Sequence, residues 1–199
     1  MSDYTWPNFG ATRFVMRIAP LTKAFASPYS NQVQSIDMLA ECWVVEIDLA
    51  PEVSTVIGLA IEAFFDRLKG TANRIILSNL KVVANQGTMR GSPVLTTTVG
   101  QLVNLLPITT TPFATALPGD MLGAGGQLFR VLAPATADSA GHMNVEVAPR
   151  VRSATGIGAG AAVTWNQPTA AFRLSSGNPA VEWHPGEFVA PAISMREDF

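Results

Sequence analysis

The chain has 199 residues, 48% of them hydrophobic but only 14% charged, against the ~25% charged residues usual in soluble domains. With 13 Lys and Arg against 15 Asp and Glu the formal net charge is −2, which excludes the basic footprint that nucleic-acid binding needs and offers no polybasic stretch to an anionic membrane surface. The shortage lies in the charged residues that should coat the outside, so part of that outside is expected to be covered by copies of the same chain.

One cysteine, Cys42, and two histidines allow no intrachain disulfide and leave little for a structural zinc site, so stability is expected from packing and no cofactor or metal is expected. Met1-Ser2-Asp3-Tyr4 opens without a basic region and an apolar run, so no secretory signal is read and synthesis in the cytosol is expected. Two stretches carry no charge, residues 91–119 and 153–172, but Pro, Thr, Asn, Gln and Gly interrupt both. They read as polar-uncharged β and loop structure, and no membrane insertion is expected.

In chain order, residues 13–18 (Arg-Phe-Val-Met-Arg-Ile) place Phe14, Met16 and Ile18 on one side of an extended segment and Arg13 and Arg17 on the other. A polar turn-rich piece follows at residues 27–32. In residues 42–49, Trp43, Val45, Ile47 and Leu49 alternate with Val44, Glu46 and Asp48, the clearest strand pattern in the chain. Pro51 stops it, and Ser54 is placed to cap a helix over about residues 55–69, in which Val56, Ile57, Ala60, Ile61, Phe64 and Leu68 recur at spacings of three and four. Arg67 and Lys69 suit its C-terminal end and Gly70 its left-handed exit. Gly58, inside the helix, marks either a close approach by a strand or neighbouring subunit or a tolerated glycine.

Ile75-Ile76-Leu77 is a short strand, and near Arg90 the composition turns to Gly, Ser, Thr and Pro. Short β-prone pieces follow at residues 94–99, 127–132 and 142–147, the last with Met143, Val145 and Val147 dry against His142, Asn144 and Glu146 wet. Leu117-Pro118-Gly119-Asp120 and Asp138-Ser139-Ala140-Gly141 punctuate them, and Gly123-Ala124-Gly125-Gly126 reads as a hairpin turn. Strand patterns return at residues 163–165, 172–174, 181–183 and from Phe188 onward. The amino-terminal strands are their natural partners, which makes the middle an insertion. The predicted fold is mainly β (α+β): a β-sandwich-like domain over residues 1–89 and 153–199 with one amphipathic helix, and an inserted small β-barrel or sandwich over 90–152.

The groups that could carry chemistry each have a structural reading. Gly156-Ile157-Gly158-Ala159-Gly160 lacks the spacing, helix and acidic partner of a dinucleotide loop and reads as a flexible connector. Cys42 beside Trp43 reads as a small buried thiol, and His142 and His184, about forty residues apart, as surface or turn histidines. Asp120 and Asp138 adjoin glycine-containing turns, where a carboxylate bonds nearby amides. Trp43, Trp165 and Trp183 lie on strands; as core or interface anchors they need no ligand, although an exposed one stacks on a sugar ring. No catalytic constellation emerges, and the chain is not expected to be an enzyme.

Several blocks resemble the small tail-tip proteins of long non-contractile-tailed phages, which are similar to distal tail proteins. They are Tyr29-Ser30-Asn31-Gln32-Val33-Gln34-Ser35, Phe64-Phe65-Asp66-Arg67-Leu68-Lys69-Gly70, Leu117-Pro118-Gly119-Asp120, Gln127-Leu128-Phe129-Arg130-Val131, Asp138-Ser139-Ala140-Gly141-His142, Ala148-Pro149-Arg150-Val151-Arg152 and Phe172-Arg173-Leu174. The resemblance implies a structural virion component at the tail tip, made in the host cytoplasm. Its partners would be copies of itself in a hexameric ring, the tail tube, the hub and other tail-tip proteins. Arg13, Arg17, Arg67, Arg150 and Arg152 are the candidates for intersubunit pairs, with solvated surface as the plain alternative. The alternative function is a carbohydrate-binding module that stacks sugars on Trp165 or Trp183; a hydrolase working through Asp120, Asp138 or His142 stands third.

Overall fold

A computed structural model describes residues 1–7, 9–26, 28, 33–81, 84–190 and 192–198. Among these residues the chain is mainly β with a single helix, in agreement with the predicted class. In chain order, β1 (Asp3–Thr5), β2 (Ala11–Ala19), β3 (Thr22–Ala26), β4 (Val33–Asp37) and β5 (Cys42–Leu49) precede α1 (Thr55–Leu68). Then come β6 (Arg74–Ser78), β7 (Val94–Leu95), β8 (Leu105–Thr109), β9 (Thr115–Ala116), β10 (Met121–Ala124), β11 (Gln127–Val131), β12 (Ala135–Thr136) and β13 (His142–Ala148). Last are β14 (Val163–Thr164), β15 (Thr169–Leu174), β16 (Glu182–His184), β17 (Glu187–Val189) and β18 (Ile193–Glu197). Of the turn-rich piece at 27–32, all but Pro28 lies outside the described residues.

The chain divides into two compact units, one of Met1–Arg17, Trp43–Val83 and Gln167–Phe199, the other of Ile18–Cys42 and Ala84–Asn166. The second unit therefore runs past the 152/153 edge read from composition, because β14 pairs antiparallel with β10 and carries residues up to Asn166 with it. Composition gives no hint that residues 18–42 group with the same unit.

The first unit holds a six-stranded sheet in the order β1-β6-β15-β18-β5-β2. The carboxy-terminal β15 and β18 lie between β6 and β5, all antiparallel, so the tail strands do find amino-terminal partners. Trp43, Val45, Ile47 and Leu49 of β5 are buried, as their alternation requires. So are Ile75 and Leu77 of β6 and Phe172 and Leu174 of β15.

Helix α1 buries Gly58, Ile61, Phe64, Phe65 and Leu68. Phe64 meets Trp6 and Phe9 edge to face, at centroid distances of 5.8 Å each. Val56 and Ile57, read from sequence as part of the apolar face, are exposed instead. The buried stripe runs through Gly58, Ile61, Phe65 and Leu68, and at 3.6 residues per turn Val56 stands about 200° from Gly58. Ser54 occupies the N-cap without a side-chain capping bond, and the left-handed exit begins at Lys69 (φ 50°), one residue before Gly70 (φ 66°). Gly58 is a close-approach position: a Cβ there would overlap the ring of Phe188. Bonds between the backbones of Glu52 and Phe188, 2.9 and 2.8 Å, hold β17 in place against the helix start.

The second unit holds a nearly closed six-stranded sheet, β14-β10-β11-β13-β8-β7. A bridge between Val94 and Ala162 joins its ends, with Leu95 N–H donating to Ala161 O (2.9 Å) and Val163 N–H to Pro93 O (2.9 Å). Closure removes most of the edge. Gly125 (φ 57°) and Gly126 (φ 79°) make the tight turn between β10 and β11 that the glycine run predicts. In β13, Met143, Val145 and Val147 are buried and His142, Asn144 and Glu146 exposed, as expected. The interior is apolar: Leu95, Leu106, Ile108, Phe129, Val131, Val145 and Val151 are all closed off from solvent. The 156–160 connector is pinned rather than flexible, since Ile157 and Val99 exchange both backbone bonds at 2.9 Å and Ile157 is buried in the core.

Strands β3 and β4 also belong to this unit and form a separate two-stranded ribbon, with Thr22 opposite Asp37, Lys23 opposite Ile36, Ala24 opposite Ser35, Phe25 opposite Gln34 and Ala26 opposite Val33. Every residue of both strands is exposed.

Among the described residues no helix is long and apolar enough to cross a membrane; α1 has 14 residues, whereas a span takes about 20.

Candidate functional site

The two aspartates singled out for chemistry bond backbone amides. Asp120 is buried, and its carboxylate accepts three backbone bonds: Gln86 N–H to Oδ1 at 2.7 Å, and Gly87 and Leu117 N–H to Oδ2 at 2.9 Å each. It ties the segment entering the unit to the turn at 117–120. Asp138 does the same at the surface, accepting from the amides of Ala140 and His142 at 2.8 Å. The His142 amide bond, above the other contributions, holds its carboxyl below the ordinary carboxylate range. His142 Nδ1 lies 3.1 Å from Thr109 Oγ1, and His184 Nε2 lies 3.6 Å from Glu182. Cys42 is buried. Among the described residues no three His, Cys, Asp or Glu side chains cluster as metal ligands would.

The five candidate arginines are dispersed. Arg13 pairs with Glu46 (3.5 Å) and Asp48 (3.4 Å), and Arg17 with Glu46 (3.6 Å), across the neighbouring strands β2 and β5. Arg150 pairs with Asp37 of β4 (3.6 Å), and Arg152 reaches the carbonyl of Glu41 (3.5 Å). Arg67 is exposed in the last turn of α1. Half-exposed pairs of this kind contribute about 0–1 kcal/mol each, so exchanging them for partners on another chain costs little.

Of the two candidate stacking tryptophans, Trp165 is half-buried beside the second unit's core, donates Nε1–H to Gly91 O at 3.0 Å, and has the Arg90 guanidinium 4.8 Å from its ring centroid. One face of that ring is already occupied. Trp183 in β16 is 64% exposed and stands directly opposite Phe188 of β17.

Two surface features went unread in the sequence. In the β3–β4 ribbon, residues directly opposite share a face, and so do alternate residues along each strand. Phe25 and Lys23 therefore lie on one face with Ile36 and Gln34. The bond from Met38 N–H to Leu21 O (3.0 Å) extends the ladder and adds those two side chains. That face presents Leu21, Phe25, Ile36 and Met38, all exposed. The second feature is the outer side of α1, where Val56 and Leu59 are exposed together with Val53 before the helix. The period-2 signal in β3 and β4 is diluted by Lys23 and Gln34, which share the apolar face, and the helical pattern does not tell which of two apolar stripes is the inner one.

No protein-family model matches the chain, and no curated protein sequence matches it. Its chemistry therefore rests on its own geometry, in which Asp120 and Asp138 accept backbone amides and the hydroxyl–imidazole contact of Thr109 and His142 lies exposed.

Proposed function

We propose that this chain is a non-enzymatic structural virion protein of the phage tail tip, a distal-tail-like ring subunit that joins the tail tube to the hub or receptor-binding apparatus. Its partners are copies of itself, in a hexameric ring, and the adjoining tube, hub and tail-tip proteins. The observation that carries this reading is the pair of apolar faces left open in one chain, Leu21, Phe25, Ile36 and Met38 on the ribbon and Val53, Val56 and Leu59 at the helix. Exposed patches of this extent are what assembly surfaces look like before assembly. The low charged fraction and the ordered family-like blocks point the same way.

Imaging of purified tails, with mass spectrometry of the same particles, tests the proposal. A ring of this chain between tube and hub is expected; absence of the chain from infectious particles overturns it.

A second reading has one observation in its favour, the exposure of Trp183. A carbohydrate-binding surface there predicts glycan-array binding that disappears in Trp183→Ala with the fold intact, while Trp165→Ala, whose ring Arg90 covers on one side, leaves it unchanged.

A further inference from the structure

Resting on the ring-subunit reading, we propose that the apolar face of the β3–β4 ribbon in one copy packs on the outer side of α1 and Trp183 in the next copy, with Lys23 meeting Glu62. The two surfaces are complementary in charge. Lys23 sits inside the ribbon's apolar face, between Leu21 and Phe25 along its strand and opposite Ile36. Burial there without an anionic partner is unfavourable.

The helix supplies that anion. Glu62 is exposed, one turn beyond both Gly58 and Leu59, so it lies between the Leu59 side chain and the position where Phe188 covers Gly58. Trp183, opposite Phe188, adds the largest exposed apolar side chain of the first unit beside it.

The areas also favour a contact between unlike faces. Exposures of 43–55% on Leu21, Phe25, Ile36 and Met38, and of 52–79% on Val53, Val56, Leu59 and Trp183, make two apolar faces of comparable extent, each of the order of the few hundred Å² typical of a functional patch. One covering the other fits the apolar part of a standard interface of about 1,600 Å². Ribbon on ribbon would bring two Lys23 and neither Glu62 into the seam and leave the helix face wet; helix on helix would bring two Glu62 without Lys23 and leave the ribbon wet. A head-to-tail contact covers both faces of every copy, and its repetition closes a ring or propagates a filament.

The test uses the full chain, whose Cys42 is buried and does not compete. Phe25→Cys and Val56→Cys chains are mixed in concentrated solution and in assembled particles, oxidised, and sized under denaturing conditions. Covalent dimers are expected only in the mixture, and the double variant is expected to give a ladder beyond the dimer. Dimers from Phe25→Cys alone, or a ring in the particles that yields no mixed cross-link, overturn this contact and leave the ring reading standing. A chain that is missing from particles and monomeric when concentrated overturns both. As a second arm, Lys23→Glu is expected to weaken assembly by about tenfold or more, with recovery on adding Glu62→Lys, as expected for a directly coupled charge pair. Loss without recovery assigns Lys23 a different partner and overturns the pairing.

Discussion

The β8–β13 pair and the β3–β4 ribbon are built alike and covered differently. Each is antiparallel with five residue pairs in register. In β8–β13, Leu106, Ile108, Met143 and Val145 are at most 5% exposed, whereas in the ribbon Phe25 and Ile36 are each 55% exposed. The ladder hydrogen bonds are therefore not what separates them. A backbone bond exchanged with water contributes little net free energy, and stability follows the apolar area removed from solvent. The nearly closed sheet removes almost all of that area, while the ribbon leaves about half of each apolar side chain in water.

Truncation inside the barrel should show the largest effect. Phe129→Ala removes a fully buried ring and is expected to cost about 3–5 kcal/mol in denaturant unfolding; a loss under 1 kcal/mol would mean that the barrel is not the tightly packed region. Asp120→Ala strips three amides of a buried acceptor, and about 3 kcal/mol is expected at neutral pH.

In the first unit, Gly58→Ala runs against helix propensity. Alanine normally gains about 1 kcal/mol over glycine in a helix, yet the Phe188 ring occupies the space, so a net loss of about 1–3 kcal/mol is expected. Phe188→Ala made in the same chain should reverse the sign of the Gly58→Ala effect, a double-mutant cycle that separates crowding from propensity.

Asp138→Ala sharpens the pH side. Because the folded-state pKa of Asp138 is depressed, its contribution is present above the unfolded-state value and lost as pH falls through the folded one. The variant should unfold at a lower temperature at pH 7, and the two proteins should converge in strong acid. A constant gap across pH would assign the effect to something other than the carboxylate. Smallest of all, Phe25→Ser should leave monomer stability within about 0.5 kcal/mol. A loss comparable with that of Phe129→Ala would show the ribbon to be part of the monomer's own core and remove the contrast.

The parts legible in the sequence are those where burial is local and one-sided. β5 and β13 show their alternation openly, the paired glycines of the β10–β11 turn have one natural conformation, and α1 carries stop and exit signals within two residues of where it ends. β8 is hidden by Pro107 in its middle, although Pro107 still accepts a bond from Thr96 N–H (2.9 Å). The ribbon is hidden by Lys23 and Gln34, which interrupt the apolar alternation on the face of Leu21, Phe25, Ile36 and Met38. Within one chain Arg13 and Arg17 meet carboxylates of the neighbouring strand β5, and Arg150 meets Asp37 of the ribbon, partners that position in the sequence does not show.

The order of residues alone suffices to read a mainly β chain with one helix and an Asp138 that braces its own turn, because periodicity, glycine conformation and local carboxylate–amide bonding act over a few residues; two of the amides on Asp120 come instead from Gln86 and Gly87, 34 and 33 residues away. Folding in three dimensions settles which apolar stripe of α1 faces inward, that the inserted sheet nearly closes through Val94 and Ala162, and that four large apolar side chains line an open ribbon. Those outcomes depend on contacts between residues far apart in the chain, and a side chain's burial is a property of whatever comes to lie over it rather than of its own neighbours in sequence.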